Sequence, residues 1–177
     1  IVTKFEQLMF YLLLFSIPFQ TRKILWQQNW YFNEWQAISI YGTDILLAIL
    51  LLFWFFRGAK LKLAHYDWFL FAFVAVSALS IKNSSNTYIS IYSVLKLVEF
   101  VVFYFYIKSY ATERFGFNRS LFAIIAGAAF QSVVAISQFL TQSDLGLRIL
   151  GESLLGKDMS GIASFFNIYG EKVIRAY

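Results

Sequence analysis

Residues 45–56 read Ile-Leu-Leu-Ala-Ile-Leu-Leu-Leu-Phe-Trp-Phe-Phe, an unbroken apolar run closed by Arg57, Lys60 and Lys62. A helix carrying that run is apolar all round, so it must be enclosed by other protein or by lipid. Composition favours lipid. Of 177 residues 59% are apolar and 14% charged, and mean hydropathy is +0.62. A soluble domain runs near roughly 45–50% apolar and about 25% charged, and a chain this size has too little interior for the excess. With 21 Phe, 11 Tyr and 5 Trp, intrinsic disorder is excluded. Cysteine is absent and His65 is the single histidine. A disulfide frame, a thiol nucleophile, a thiolate zinc site, an iron–sulfur cluster and a multi-histidine metal site are therefore all excluded within this chain. Neither a metal nor a cofactor is expected. The net charge of +5 fits basic loops at a membrane surface better than a nucleic-acid partner.

At 1.5 Å per residue, crossing about 30 Å of hydrocarbon takes roughly 20 mostly apolar residues. Five segments approach this, near 5–19, 38–56, 66–81, 88–107 and 120–140. They predict an all-α fold, a polytopic membrane helical bundle of about five transmembrane helices over residues 1–141, followed by an extracytoplasmic loop segment over 142–177. The first segment ends at Pro18 without a small-x-small cleavage site, so it does not read as a signal peptide. The tail holds five of the nine glycines and equal numbers of acidic and basic residues, a structured-loop composition with neither GxxxxGK[ST] nor GxGxxG. The chain opens Ile1-Val2-Thr3-Lys4 rather than with Met and closes at Tyr177 without a polar tail. This predicts a truncated piece of a longer protein.

The loops alternate in charge. Lys4, Arg57, Lys60, Lys62, Lys108, Arg114 and Arg119 fall on one side of the expected bundle, and Arg22, Lys23 and Lys82 on the other. The richer side is expected to be cytoplasmic, with the N-terminus inside and residues 142–177 outside. The first outer loop, Gln20 to Ala37, carries Trp26, Trp30, Tyr31, Phe32 and Trp35. These rings suit the headgroup layer, as an aromatic belt or as a vestibule for a lipid substrate.

Polar residues within the apolar segments are the candidate functional groups. Lys96 and Glu99, three apart, share a helical face and are expected to pair within the bundle. Such a pair serves as a packing lock, a proton or ion relay, or polar lining beneath a headgroup cavity. Gln131 and Gln138 share a face and are expected to bond to other helices, while Ala123, Gly127, Ala128 and Ser132 invite close helix contact. Asp44 and Asp67 are expected to lie hydrated at the interfaces, and His65 in a solvated loop.

The runs Tyr41-Gly-Thr-Asp-Ile-Leu-Leu-Ala-Ile-Leu-Leu-Leu-Phe-Trp54 and Leu95-Lys-Leu-Val-Glu-Phe-Val-Val-Phe-Tyr-Phe-Tyr106 lie in sequence with Ser137-Gln-Phe139, Leu147-Arg-Ile-Leu-Gly-Glu-Ser153 and Val173-Ile-Arg-Ala-Tyr177. In this order they resemble the N-terminal half of membrane proteins of the O-antigen ligase and polymerase family. The likeness covers nearly the whole chain. It implies a multi-pass protein of the bacterial cytoplasmic membrane, part of a metal-independent glycosyltransferase of surface polysaccharide synthesis. Such enzymes take glycan from an undecaprenyl diphosphate carrier on the outer face and pass it to an acceptor, which the resemblance leaves open. Arg175 matches an arginine that in the family precedes a Gly-Thr-x-x-His-Pro-Asn-like stretch, and that stretch is missing here. Arg175, with Arg148 beside it in the tail, is therefore the expected substrate-binding residue, while the catalytic base is expected beyond Tyr177 and the fragment alone is expected to be inactive. The competing readings are a secondary transporter or flippase of a lipid-linked or amphipathic solute, and a membrane scaffold.

Overall fold

The computed structural model describes residues 4–19, 21–27, 36–147 and 150, with the backbone of two short strands at 164–166 and 172–174. They are mostly helical. The elements are α1 (Lys4–Ser16), strands β1 (Arg22–Gln27) and β2 (Ala37–Tyr41), α2 (Gly42–Phe56), α3 (Asp67–Ser80), α4 (Thr87–Tyr106), a π-helical segment Ile107–Ala111, the single turn α5 (Thr112–Arg114), α6 (Phe117–Thr141), and strands β3 (Ser164–Phe166) and β4 (Lys172–Ile174).

Local chemistry sets the boundaries. Past α2, Gly58 takes a left-handed φ of 72° that a side chain would resist, and its N–H returns to the Phe55 carbonyl at 3.0 Å. At the start of α4, Asn86 Oδ1 accepts from the N–H groups of Tyr88 and Ile89 at 3.1 and 3.3 Å, filling donors that the first turn leaves open. Gln142 closes α6 in the left-handed region, its φ 52°, and its amide donates to the Phe139 carbonyl.

Among the described residues, two helical runs are long and apolar enough to cross a membrane, Thr87–Arg114 and Phe117–Thr141. Only 6% and 11% of their most apolar stretches are buried against the protein, whereas the core helix of a soluble protein would be mostly covered. Phe100, Phe122, Val133, Ile136 and Leu140 all face outward. The expectation of five full spans is corrected. The first three helices hold 13, 15 and 14 residues, about 20–22 Å of axis against a core of about 30 Å. The second segment is shorter than expected because residues 38–41 belong to β2, whose partner β1 pairs with it in antiparallel register, Arg22 opposite Tyr41 and Gln27 opposite Ala37. The described residues are mostly helical, as expected of an all-α fold, with two short antiparallel strand pairs beside the helices, β1–β2 and β3–β4. Each pair joins consecutive strands, and its register depends on the partner strand rather than on a helical periodicity within one segment.

Contacts between helices establish which termini share an end. Phe10 stacks on Phe115 with centroids 4.3 Å apart and Phe15 meets Phe130 at 6.1 Å, so α1 and α6 run parallel. Phe5 meets Phe53, making α2 antiparallel to α1. Trp54 meets Tyr106 and Phe71 meets Phe105, so α4 runs with α2 and against α3. Lys4, Arg57, Lys60, Lys62, Lys108, Arg114 and Arg119 therefore collect at one end, called the basic end here. Arg22, Lys23 and Lys82 lie at the opposite, hairpin end, where α6 also finishes. The buried core of Phe10, Leu14, Leu50, Trp54, Tyr106 and Phe115 sits toward the basic end.

The small-residue stripe of α6 meets α1. A Cβ at Gly127 would collide with the Phe15 backbone carbonyl, while Ala123 is buried beside it and Ala128 and Ser132 face outward. Gly127→Ala should therefore destabilise the fold by about 1–3 kcal/mol despite its better helix propensity, because α6 must back away from main chain. Ala128→Val should cost less than about 0.5 kcal/mol. Unfolding in mixed detergent checks this, and equal costs at the two positions would refute the close approach.

The end assignment has its own check. Cysteines placed singly at Lys60 and Glu113 should respond alike to an impermeant thiol reagent in intact cells, and opposite to a cysteine at Asn86. Labelling of Asn86 together with either of the others would break it.

Candidate functional site

Lys96 forms the centre of a partly buried charge cluster in the half of the bundle nearer the hairpin end. Its ammonium lies 2.9 Å from Glu99 Oε2 on the next turn of α4, the pairing expected from their spacing. The same ammonium also pairs with Asp44 at the start of α2, a partner that sequence spacing does not reveal. Asp44, expected to be hydrated at an interface, is instead engaged on two sides, because it also accepts the Tyr41 N–H at 2.9 Å. The carboxylate at the N-terminus of α2 is favourably placed against the helix dipole. The rings of Tyr41 and Tyr92 flank the ammonium at 5.3 and 5.9 Å. The Tyr92 hydroxyl donates to the Ser39 carbonyl at 2.7 Å, tying α4 to β2.

A second cluster forms at the basic end. Glu6 is wholly buried, meets Arg57 at 3.0 Å and accepts from the Tyr110 hydroxyl at 2.7 Å. Asp67, 1% exposed, accepts from Lys108 at 2.6 and 2.9 Å, from the Tyr104 hydroxyl at 2.9 Å and from the Ala64 N–H at 2.6 Å. The expectation of a hydrated Asp67 is thereby corrected: a carboxylate opening α3 beside Lys108 of the π-helical segment is enclosed rather than solvated. The π-helical segment makes this possible. Widening the helix by one residue per turn over 107–111 turns Ser109 and Tyr110 inward. Ser109 Oγ accepts the Lys62 N–H at 2.9 Å and Tyr110 reaches Glu6. The Lys62 ammonium also hydrogen-bonds Glu113. His65 is exposed, as expected of a loop residue.

The remaining expected residues divide. Gln138 is buried and Gln131 half-buried on α6, so the shared face turns inward more completely toward the hairpin end. Arg148 and Arg175 lie outside the described residues, as do Trp30, Tyr31, Phe32 and Trp35. Glu6, Arg57 and Tyr110 escaped sequence reasoning. Glu6 stands near the start of the first apolar segment and resembles an ordinary flanking charge, and the π-helical turn leaves no periodic trace. Among the described residues no three His, Cys, Asp or Glu side chains gather where they could hold a metal ion. No family model matches the chain, and no curated protein or solved structure matches it.

In the Lys96 cluster two carboxylates share one ammonium. This has the character of an electrostatic tie between α2, β2 and α4 with one negative charge in excess, and it contains no nucleophile–base pair. Removing the ammonium leaves two like charges facing each other. Lys96→Met should therefore destabilise by about 2 kcal/mol, below the 3–5 typical of a fully buried pair because water still reaches the cluster. Asp44→Asn and Glu99→Gln should each cost less, since the other carboxylate still holds Lys96. The triple variant should recover most of the loss. Equal, mild effects for all three single changes would show that the cluster is surface decoration.

Proposed function

We propose that this chain corresponds to the N-terminal half of an integral membrane glycosyltransferase, similar to O-antigen ligases and polymerases, that transfers or polymerises glycan from an undecaprenyl diphosphate carrier on the outer face of the bacterial cytoplasmic membrane. The residue runs quoted above suggest the family. The observation that supports it within the fold is the sorting of charge, seven lysines and arginines at the basic end against three at the hairpin end, with α6 finishing at the sparser end. By the positive-inside rule the sparser end faces outward, and residues 142–177 then follow on the side where a carrier-linked glycan is handled. In this reading α4 and α6 span the bilayer fully. The shorter α1, α2 and α3 complete a multi-pass bundle, with local thinning and snorkelling side chains covering the mismatch.

A diphosphate leaving group needs cations that can stabilise its developing charge, best the planar fork of arginine. Lys96 is already held by two carboxylates, so it is a poor candidate, and His65 lies at the opposite end. The resemblance points instead to Arg175 for the donor site, with Arg148 as its companion in the tail.

One observation favours a second reading. The Lys96 cluster carries an excess negative charge inside an apolar layer, which suits a coupled cation in a transporter or flippase of an amphipathic solute. There, Glu99→Gln would abolish cation-driven transport, whereas in the transferase it would alter stability alone.

The test of the transferase is Arg175 in the full-length protein. Arg175→Lys keeps the charge and loses the bidentate fork, so it should lower transfer of glycan from carrier to acceptor by about tenfold or more, nearly as much as Arg175→Ala, with membrane protein level unchanged. Undiminished transfer by Arg175→Ala would remove it from the donor site.

A further inference from the structure

Among the described residues the basic end carries three carboxylates, and each is engaged within the protein: Glu6 by Arg57, Asp67 by Lys108 and Glu113 by Lys62. Four cations remain there. Lys4 opens α1, Lys60 lies in the α2–α3 connection, Arg114 ends α5 and Arg119 lies in the first turn of α6. All four are exposed, and among the described residues none has a carboxylate partner. Arg114 is instead held with its guanidinium 4.0 Å above the Tyr110 ring, a contact that fixes its position and leaves its donors to the outside.

The same end exposes large rings. Phe56 and Phe117 are 80% and 78% exposed, and Trp68 and Tyr66 also face outward. A band of exposed rings beside unpaired cations matches the boundary between acyl chains and headgroups, with apolar bodies below and charge above. The four cations come from four separate stretches of the chain, all at the basic end. A continuous layer of anionic phosphodiester headgroups would meet them together.

We infer that the basic end is a docking surface for anionic phospholipid headgroups, with Lys4, Lys60, Arg114 and Arg119 as the contacting cations. The inference rests on the chain being embedded in a bilayer and is independent of glycan transfer. The three internal ion pairs allow it, since they consume every carboxylate that would otherwise repel the headgroups.

The test reconstitutes the full chain in phosphatidylcholine bilayers containing trace spin-labelled phosphatidylglycerol or spin-labelled phosphatidylcholine, and measures the motionally restricted fraction of each. The wild-type chain should hold the anionic lipid in preference by about fivefold or more, and the preference should fall as ionic strength rises. The variant Lys4→Gln/Lys60→Gln/Arg114→Gln/Arg119→Gln should lose it, and the milder Lys60→Gln/Arg119→Gln should lose part. Arg22→Gln/Lys23→Gln/Lys82→Gln, at the hairpin end, should retain it. Equal preference in the wild type and the fourfold variant, or loss with the hairpin-end variant, would overturn the assignment. Inorganic phosphate that abolished the preference at constant ionic strength would reassign these cations to a free anion. A chain that failed to enter bilayers would remove this inference and the membrane reading together. Lipid preference without glycan transfer would leave this surface standing and count against the transferase.

Discussion

The buried carboxylate of Glu6 constrains the rest of the basic end. A charge removed from water costs several kcal/mol unless it is met by opposite charge and hydrogen bonds. Glu6 is met by Arg57 from the end of α2 and by Tyr110 from the π-helical segment. These two contacts bring α1, α2 and the end of α4 to one point. The aromatic core of Phe10, Trp54, Tyr106 and Phe115 packs around that same junction. The second junction, Asp67 with Lys108 and Tyr104, attaches α3 to α4 by the same logic. Both ties lie at the basic end, and the Lys96 cluster ties α2 and α4 nearer the hairpin end.

Ion pairs thus do at the helix ends what burial of apolar side chains does in a water-soluble bundle. The outward faces of α4 and α6 are apolar, so in a lipid environment no hydrophobic driving force presses helix against helix. Specific polar ties and the close approach of Gly127 to the α1 backbone then supply the discrimination between neighbours. The same arrangement separates internal from external charge at the basic end, where carboxylates are consumed inside and the unpaired cations face out.

Some of this was legible. The Lys96–Glu99 pair follows from a spacing of three on one helical face. The inward-facing positions Gly127 and Gln138 of α6 follow from its small residues and its shared glutamine face. Asp44 as the second partner of Lys96 was not legible, because the two lie on different helices and only packing sets their separation. Asp67 looked like a hydrated interfacial charge for the same reason, its partner Lys108 being remote in sequence. The strand over 37–41 was hidden because Ile38, Ile40 and Tyr41 suit an apolar helix as well as an edge of a hairpin, and the choice depends on pairing with residues 22–27.

The sequence by itself determined that the chain is rich in apolar helix, that its basic residues alternate between connections, and that cysteine and multi-histidine chemistry are excluded. These follow from composition and from periodicities within single segments, which are local properties. Tertiary structure alone decided which charges neutralise one another, where the helix widens to aim Tyr110 at Glu6, and that among the described residues only α6 and the helical run over 87–114 reach a membrane-spanning length. Those outcomes depend on distances between groups far apart along the chain. The free energy of a buried charge is set by what surrounds it in space rather than by its neighbours in sequence.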